Sequence, residues 1–194
     1  RIILAKQWIQ TTGKYLIQQH KLQIGFINVN SGGLSSVITD EIEKSLVELG
    51  IPSVPIVSTT NTTELENEID NLVRRGYKIV ILYTYHSSDV LVRYQKLDDA
   101  VPFAVVFNDE AHFLPNNPDF LADAQKIKAG KKFFMTATPR TTDSSDGNGM
   151  NNETIYGPII DDVKPVEMIE KGIILAPLMH IIGCEGMSDE LRLR

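Results

Sequence analysis

Residues 105–114 read Val-Val-Phe-Asn-Asp-Glu-Ala-His-Phe-Leu, an apolar run that closes on two adjacent acids, an alanine and a histidine. A buried strand seldom finishes on paired carboxylates unless a cation is to be met there. An aspartate just past a hydrophobic strand suits Mg²⁺, which keeps most of its water and takes one or two protein carboxylates together with substrate phosphates. A glutamate beside it is placed to polarise a water for attack on a γ-phosphorus, a reaction in which positioning and electrostatics supply most of the rate. That division of labour needs the two acids adjacent, as Asp109 and Glu110 are. From His112, 24 residues lead to Thr136, which opens Thr136-Ala137-Thr138. The interval holds one helix and one neighbouring strand, so both polar ends can border one cleft. A third such end, Thr84-Tyr85-His86-Ser87, closes another apolar run.

The elements that must position these ends alternate along the chain. Ile3, Leu4, Trp8, Tyr15 and Leu16 form the apolar face of a first helix. A strand at 23–29 follows, then turn residues Ser31, Gly32 and Gly33, then a helix capped by Thr39 or Asp40 that stops at Gly50. A short strand at 53–57 precedes a helix capped by Thr62 or Thr63 and stopped by Gly76. The runs at 77–85, 104–112 and 131–140 are apolar on both faces. They are separated by helices starting at Ser87 or Ser88 and covering 118–130. Two-faced strands alternating with amphipathic helices predict an α/β fold, a parallel sheet with helices on both faces. Such sheets collect ligands beyond the carboxyl ends of their strands. The stretch 141–152 is polar and glycine-containing and reads as a mobile surface loop. A helix near 166–171 and a last strand near 178–182 complete the order.

With 194 residues, 42% hydrophobic and 23% charged, the chain has the composition of a globular domain with a sizeable core. No apolar stretch reaches the roughly 18 to 20 residues of a membrane span, and no secretory signal opens the chain, so an intracellular setting, cytoplasmic or nuclear and without a membrane partner, is expected. The single cysteine, Cys184, excludes an internal disulfide framework and a multi-cysteine zinc site. A net charge of −6 offers nucleic acid no global attraction. Any such site must be local. Lys126, Lys128, Lys131 and Lys132 cluster, but a lysine-rich helix end is read first as solvated and favourable to the helix dipole.

Asp109-Glu110-Ala111-His112 matches the Asp-Glu-Ala-His form of the Walker B motif. Met135-Thr136-Ala137-Thr138-Pro139-Arg140 resembles motif III of superfamily 2 helicases and translocases, and the two stand at that family's spacing. In detail the chain is similar to the group of helicase subunits of type I and type III restriction enzymes. That group also carries a Thr-Tyr-x-Ser element, here Thr84-Tyr85-His86-Ser87, and an Ile-Tyr-Gly-Pro segment, here Ile155-Tyr156-Gly157-Pro158. The resemblance runs over residues 1–182 and implies a three-layer RecA-like lobe beginning near motif Ia, with 183–194 a linker toward a second RecA-like lobe. It implies ATP and Mg²⁺ as cofactors and nucleic acid, DNA in preference to RNA, as partner. Asp109 would assist Mg²⁺ through water, Glu110 would activate the attacking water, and His112, Thr136 and Thr138 would relay nucleotide state. Thr59, Thr60, Thr84, Tyr85 and Ser87 are candidate contacts to a sugar-phosphate backbone, although caps and turns use the same residue types.

Two departures stand out. Asn108 precedes the acids where relatives have a small aliphatic residue or cysteine, and His86 replaces the glutamine frequent in the Thr-Tyr-x-Ser element. A larger one is the phosphate loop, whose glycines let backbone N–H groups face the phosphates in Gly-x-x-x-x-Gly-Lys-[Ser/Thr]. Gly13-Lys14 is preceded at the required position by Trp8 and followed by Tyr15; Gly130-Lys131 is preceded by Gln125 and followed by Lys132. Neither qualifies. The expectation is a piece of an ATP-dependent helicase or translocase that starts downstream of its phosphate loop and is inactive alone. The alternatives are a degenerate lobe serving as a nucleic-acid or protein binding module, or the motor part of a restriction endonuclease.

Overall fold

The computed structural model describes the backbone of residues 2–30, 36–51, 54–143 and 147–175 and, except at 2–5 and 36–38, their side chains. The predicted turn at Ser31, Gly32 and Gly33, the side chains of Ile3 and Leu4, the strand at 178–182, Cys184 and the segment 183–194 lie outside the described residues. By internal contacts the chain divides into two compact units, Arg1–Gly157 and Pro158–Arg194.

The first unit alternates helices and strands: α1 (Ile2–Gly13), β1 (Ile24–Val29), α2 (Ser36–Glu48), β2 (Ile56–Thr59), α3 (Thr62–Arg74), β3 (Lys78–Tyr83), α4 (Ser88–Tyr94), β4 (Phe103–Asn108), α5 (Pro118–Lys126), β5 (Ala129–Phe134) and the single turn α6 (Glu153–Tyr156). In the second unit, α7 covers Pro165–Glu170. All strand pairing among the described residues is parallel, in a three-stranded sheet β2-β1-β3 and a two-stranded sheet β4-β5. The fold is therefore α/β with parallel strands alternating with helices, consistent with a three-layer Rossmann or RecA-like arrangement. The expected single sheet is split between β3 and β4. Side chains bridge those two strands where backbone pairing does not.

Strand alternation explains the layers, because successive residues face opposite sides of a sheet. On one side of β1, Ile24 and Phe26 pack with Ile9 of α1 and Ile42 and Leu46 of α2. On the other, Ile27 and Val29 join Leu65, Ile69 and Leu72 of α3, Val90, Leu91 and Tyr94 of α4, and Val106 of β4. β3 divides likewise, Val80 and Leu82 to the first cluster and Ile79 and Ile81 to the second. β4 is covered on one face only. Val106 and Asn108 are buried, whereas Val105 and Phe107 are 43% and 53% exposed and Phe107 stacks on Phe133 of β5 at 5.2 Å.

Several expected boundaries move. Thr39 and Asp40 lie inside α2, which begins at Ser36. α3 is capped by Asn61, whose side-chain oxygen accepts from Thr63 N at 2.8 Å and Glu64 N at 3.4 Å. Asparagine outranks threonine at this position. α5 ends at Lys126, and Lys132 Nζ reaches back to the carbonyls of Ala124 and Gln125, at 3.1 and 2.7 Å, satisfying acceptors that the last turn leaves open. Gly13-Lys14 sits where α1 passes into a π-helical turn over Lys14–Gln19, so it is helix and no phosphate cradle. Gly76 stops α3 as predicted, at φ +81° with its N–H on Val73 O. The 141–152 stretch is tied at its neck. Asn151 exchanges two hydrogen bonds with the backbone of Thr142, both 2.9 Å, and Met150 N donates to Arg140 O at 2.7 Å.

Gly25 lets α3 lie close on β1. A Cβ there would stand 2.9 and 3.0 Å from the two methyls of Leu72, itself 1% exposed and unable to swing away. Gly25→Ala is expected to lower the unfolding free energy by about 1–3 kcal/mol, read from urea denaturation. An unchanged midpoint would mean that α3 yields at no cost.

Candidate functional site at the strand ends

The β4–β5 ladder continues one step beyond the paired residues Asn108 and Phe134. Met135 N donates to Asn108 O and Ala111 N donates to Met135 O, each at 2.9 Å. These bonds draw the chain after β4 across the end of β5. The 3₁₀ turn over Ala111–Asn116 then starts from Glu110, whose backbone is left-handed at φ 52°, ψ 39°. Ala111 and Leu114 are buried beneath it with Leu121 and Ala124 of α5.

This turn brings three of the predicted residues together. His112 Nδ1 lies 2.9 Å from Thr136 Oγ1 and 3.2 Å from Glu110 Oε2. Either ring tautomer lets Nδ1 and the Thr136 hydroxyl share this hydrogen bond, as donor and acceptor or the reverse. Thr136 Oγ1 also receives the backbone N–H of Thr138 at 3.1 Å, which joins the second threonine to the group. Asp109 and Glu110 are both exposed, and Asp109 Oδ1 accepts from Glu110 N at 2.9 Å. Among the described residues no cluster of three or more histidine, cysteine or acidic side chains could cage a metal. A divalent ion at Asp109 would have to bring its other ligands as water or phosphate.

The predicted nucleic-acid contacts are placed differently. The Thr59 hydroxyl, buried, donates to Glu64 Oε2 at 2.7 Å and accepts from Asn61 N at 3.1 Å. Thr59 and its exposed neighbour Thr60 end β2, which β1 separates from β3, so they stand apart from the acids. Thr84 Oγ1 and Ser87 Oγ face each other at 3.3 Å, and Ser87 is buried. Tyr85, half-buried, donates its hydroxyl to the backbone oxygen of Asp109 at 2.7 Å. Of the lysine cluster, Lys132 caps α5, burial lowering its pKa, and Lys126 pairs with Asp123 at 3.2 Å.

Asn108, which precedes the two acids, is a structural bridge. Its Oδ1 accepts from Tyr83 Oη at 2.9 Å and its Nδ2 reaches Phe133 O at 3.4 Å, so one buried amide links β3, β4 and β5. The signal was in the sequence: a polar amide inside a buried strand must find partners on its neighbours. Burial also pushes the Tyr83 phenol up to about 12 and the Tyr156 phenol up to about 12. No protein-family model, curated protein or solved structure matches the chain, so these geometries stand without a relative to compare.

Because the Tyr83 hydroxyl ionises less readily folded than unfolded, its contribution is whole below about pH 10 and is lost as pH rises toward about 12. Chemical denaturation is expected to show stability falling across that window. Tyr83→Phe should flatten part of the fall while costing about 1–3 kcal/mol at neutral pH, since it strands Asn108 Oδ1. A fall of equal steepness in the variant would exclude Tyr83 as its source.

Proposed function

We propose that this chain is the part of an ATP-dependent nucleic-acid helicase or translocase of superfamily 2 that carries its water-activating acids and its coupling threonines. The observation that bears most weight is the group Glu110–His112–Thr136, assembled from the ends of two adjacent parallel strands. In this reading Asp109 holds Mg²⁺ through water, and Glu110 orients and polarises the water that attacks the γ-phosphorus. His112 touches both Glu110 and Thr136. A change at the nucleotide therefore has a short path to Thr136 and Thr138, and through them to whatever nucleic acid or second lobe meets that edge. ATP and Mg²⁺ are the cofactors, and DNA is favoured over RNA as partner.

The chain has no Gly-x-x-x-x-Gly-Lys-[Ser/Thr] sequence, so the phosphates must be gripped by residues outside it. The same gap is what favours the second reading, a lobe that binds without hydrolysing. Glu110→Gln separates the two.

In a protein that joins this chain to a phosphate loop, Glu110→Gln is expected to lower nucleic-acid-stimulated kcat by at least about 100-fold with nucleotide affinity unchanged. Hydrolysis retained in that variant would show that Glu110 does not activate the attacking water. The 194-residue chain by itself is expected to show no stimulated ATP hydrolysis in a phosphate-release assay, and measurable turnover would refute the division of the site.

A further inference from the structure

Tyr85 is by residue type and position a candidate for touching nucleic acid, yet its hydroxyl is committed inward. It donates to Asp109 O at 2.7 Å, its ring lies parallel to Phe120 of α5 at 6.3 Å, and it packs on the cluster of Ala111, Leu114, Leu121 and Ala124. The bond it makes lands on the peptide that joins the two acids.

That peptide is the strained one. Glu110 is one of two non-glycine residues among those described with positive φ, at 52°. Such a residue costs on the order of 1 kcal/mol or more and persists only where its surroundings hold it. Rotation about φ of Glu110 turns the Asp109–Glu110 peptide against the Glu110–Ala111 peptide. The second is tied by Ala111 N to Met135 O at 2.9 Å. The first is tied at its N–H by the Asp109 side chain, a neighbour that rotates with it, and at its carbonyl by Tyr85. Tyr85 is thus the anchor from another element.

We infer that Tyr85 is a positioning residue that locks Glu110 in its left-handed conformation and ties the end of β3 to the acid pair. This rests on Glu110 being the water-activating acid of the proposed function. The turn that carries Tyr85 is itself closed by Ser87 N to Thr84 O at 2.8 Å and Ser88 Oγ to Tyr85 O at 2.7 Å. A ligand that reshapes this turn moves the phenol, and with it the carbonyl of Asp109. Occupancy at the β3 end thereby sets how well Glu110 is aimed.

Tyr85→Phe keeps the ring and its packing and removes only the donor. In the 194-residue chain, NMR should show the Asp109 carbonyl-carbon resonance shifted and the Ala111 amide exchanging about 10-fold faster, a loss of roughly 1.4 kcal/mol of local protection, with Val106 unaffected. In the protein carrying a phosphate loop, kcat should fall by about 10-fold with the nucleotide KM and nucleic-acid affinity unchanged, the pattern of a lost transition-state contribution. Unaltered exchange at Ala111, or weakened nucleic-acid binding with kcat intact, overturns the inference. If the unsubstituted protein carrying a phosphate loop hydrolyses no nucleotide, the proposed function falls and the exchange measurement alone decides the role of Tyr85.

Discussion

Everything at the site depends on two backbone bonds that prolong the β4–β5 ladder, Met135 N to Asn108 O and Ala111 N to Met135 O. A parallel pair has no need to continue past its last strand residue. Here it does, because Asn108 holds Phe133 from the side and because the 3₁₀ turn buries Ala111 and Leu114 against α5. Remove that continuation and His112 has no reason to lie beside Thr136. The chemistry of the strand ends is then a consequence of main-chain geometry, with the side chains arranged upon it.

The distribution of strain follows from the same constraint. Turning from an extended strand straight into a 3₁₀ turn leaves Glu110 to absorb the change of direction, and it does so in the left-handed region. Glycine would adopt that conformation freely but carries no carboxylate. The neighbouring elements therefore supply, through Tyr85 and Met135, the constraint that makes a strained glutamate tolerable.

Much of the fold was legible in the sequence because two-faced apolar runs and glycine stops such as Gly76 are local signals. The alternation of helices with parallel strands, and the placement of Asp109 and Thr136 at strand ends, could be read from them. What could not be read was set by distant partners. Lys132, six residues beyond the end of α5, supplies the donor that caps its last turn. The split between β3 and β4, bridged by Tyr83 and Asn108, has no local sequence mark. Thr59, Thr84, Ser87 and Tyr85 illustrate the limit at the site itself: residue type suggested contacts offered to a ligand, whereas the structure shows hydroxyls engaged with their own neighbours.

The neck of the 141–152 stretch is closed by an amide clip, Asn151 on both backbone groups of Thr142, while Asn152 caps the turn that follows and Met150 packs against the α5 cluster. The clip does not act alone, since Gly147 O accepts from Asn152 Nδ2 at 2.8 Å and Asn148 O from Tyr156 Oη at 3.1 Å. Residues 147–150 are therefore fastened to the turn that follows them, and two neighbouring asparagines, Asn151 and Asn152, carry most of that fastening through side-chain amides. A stretch whose composition suggests free movement is thus held in place by its own polar residues.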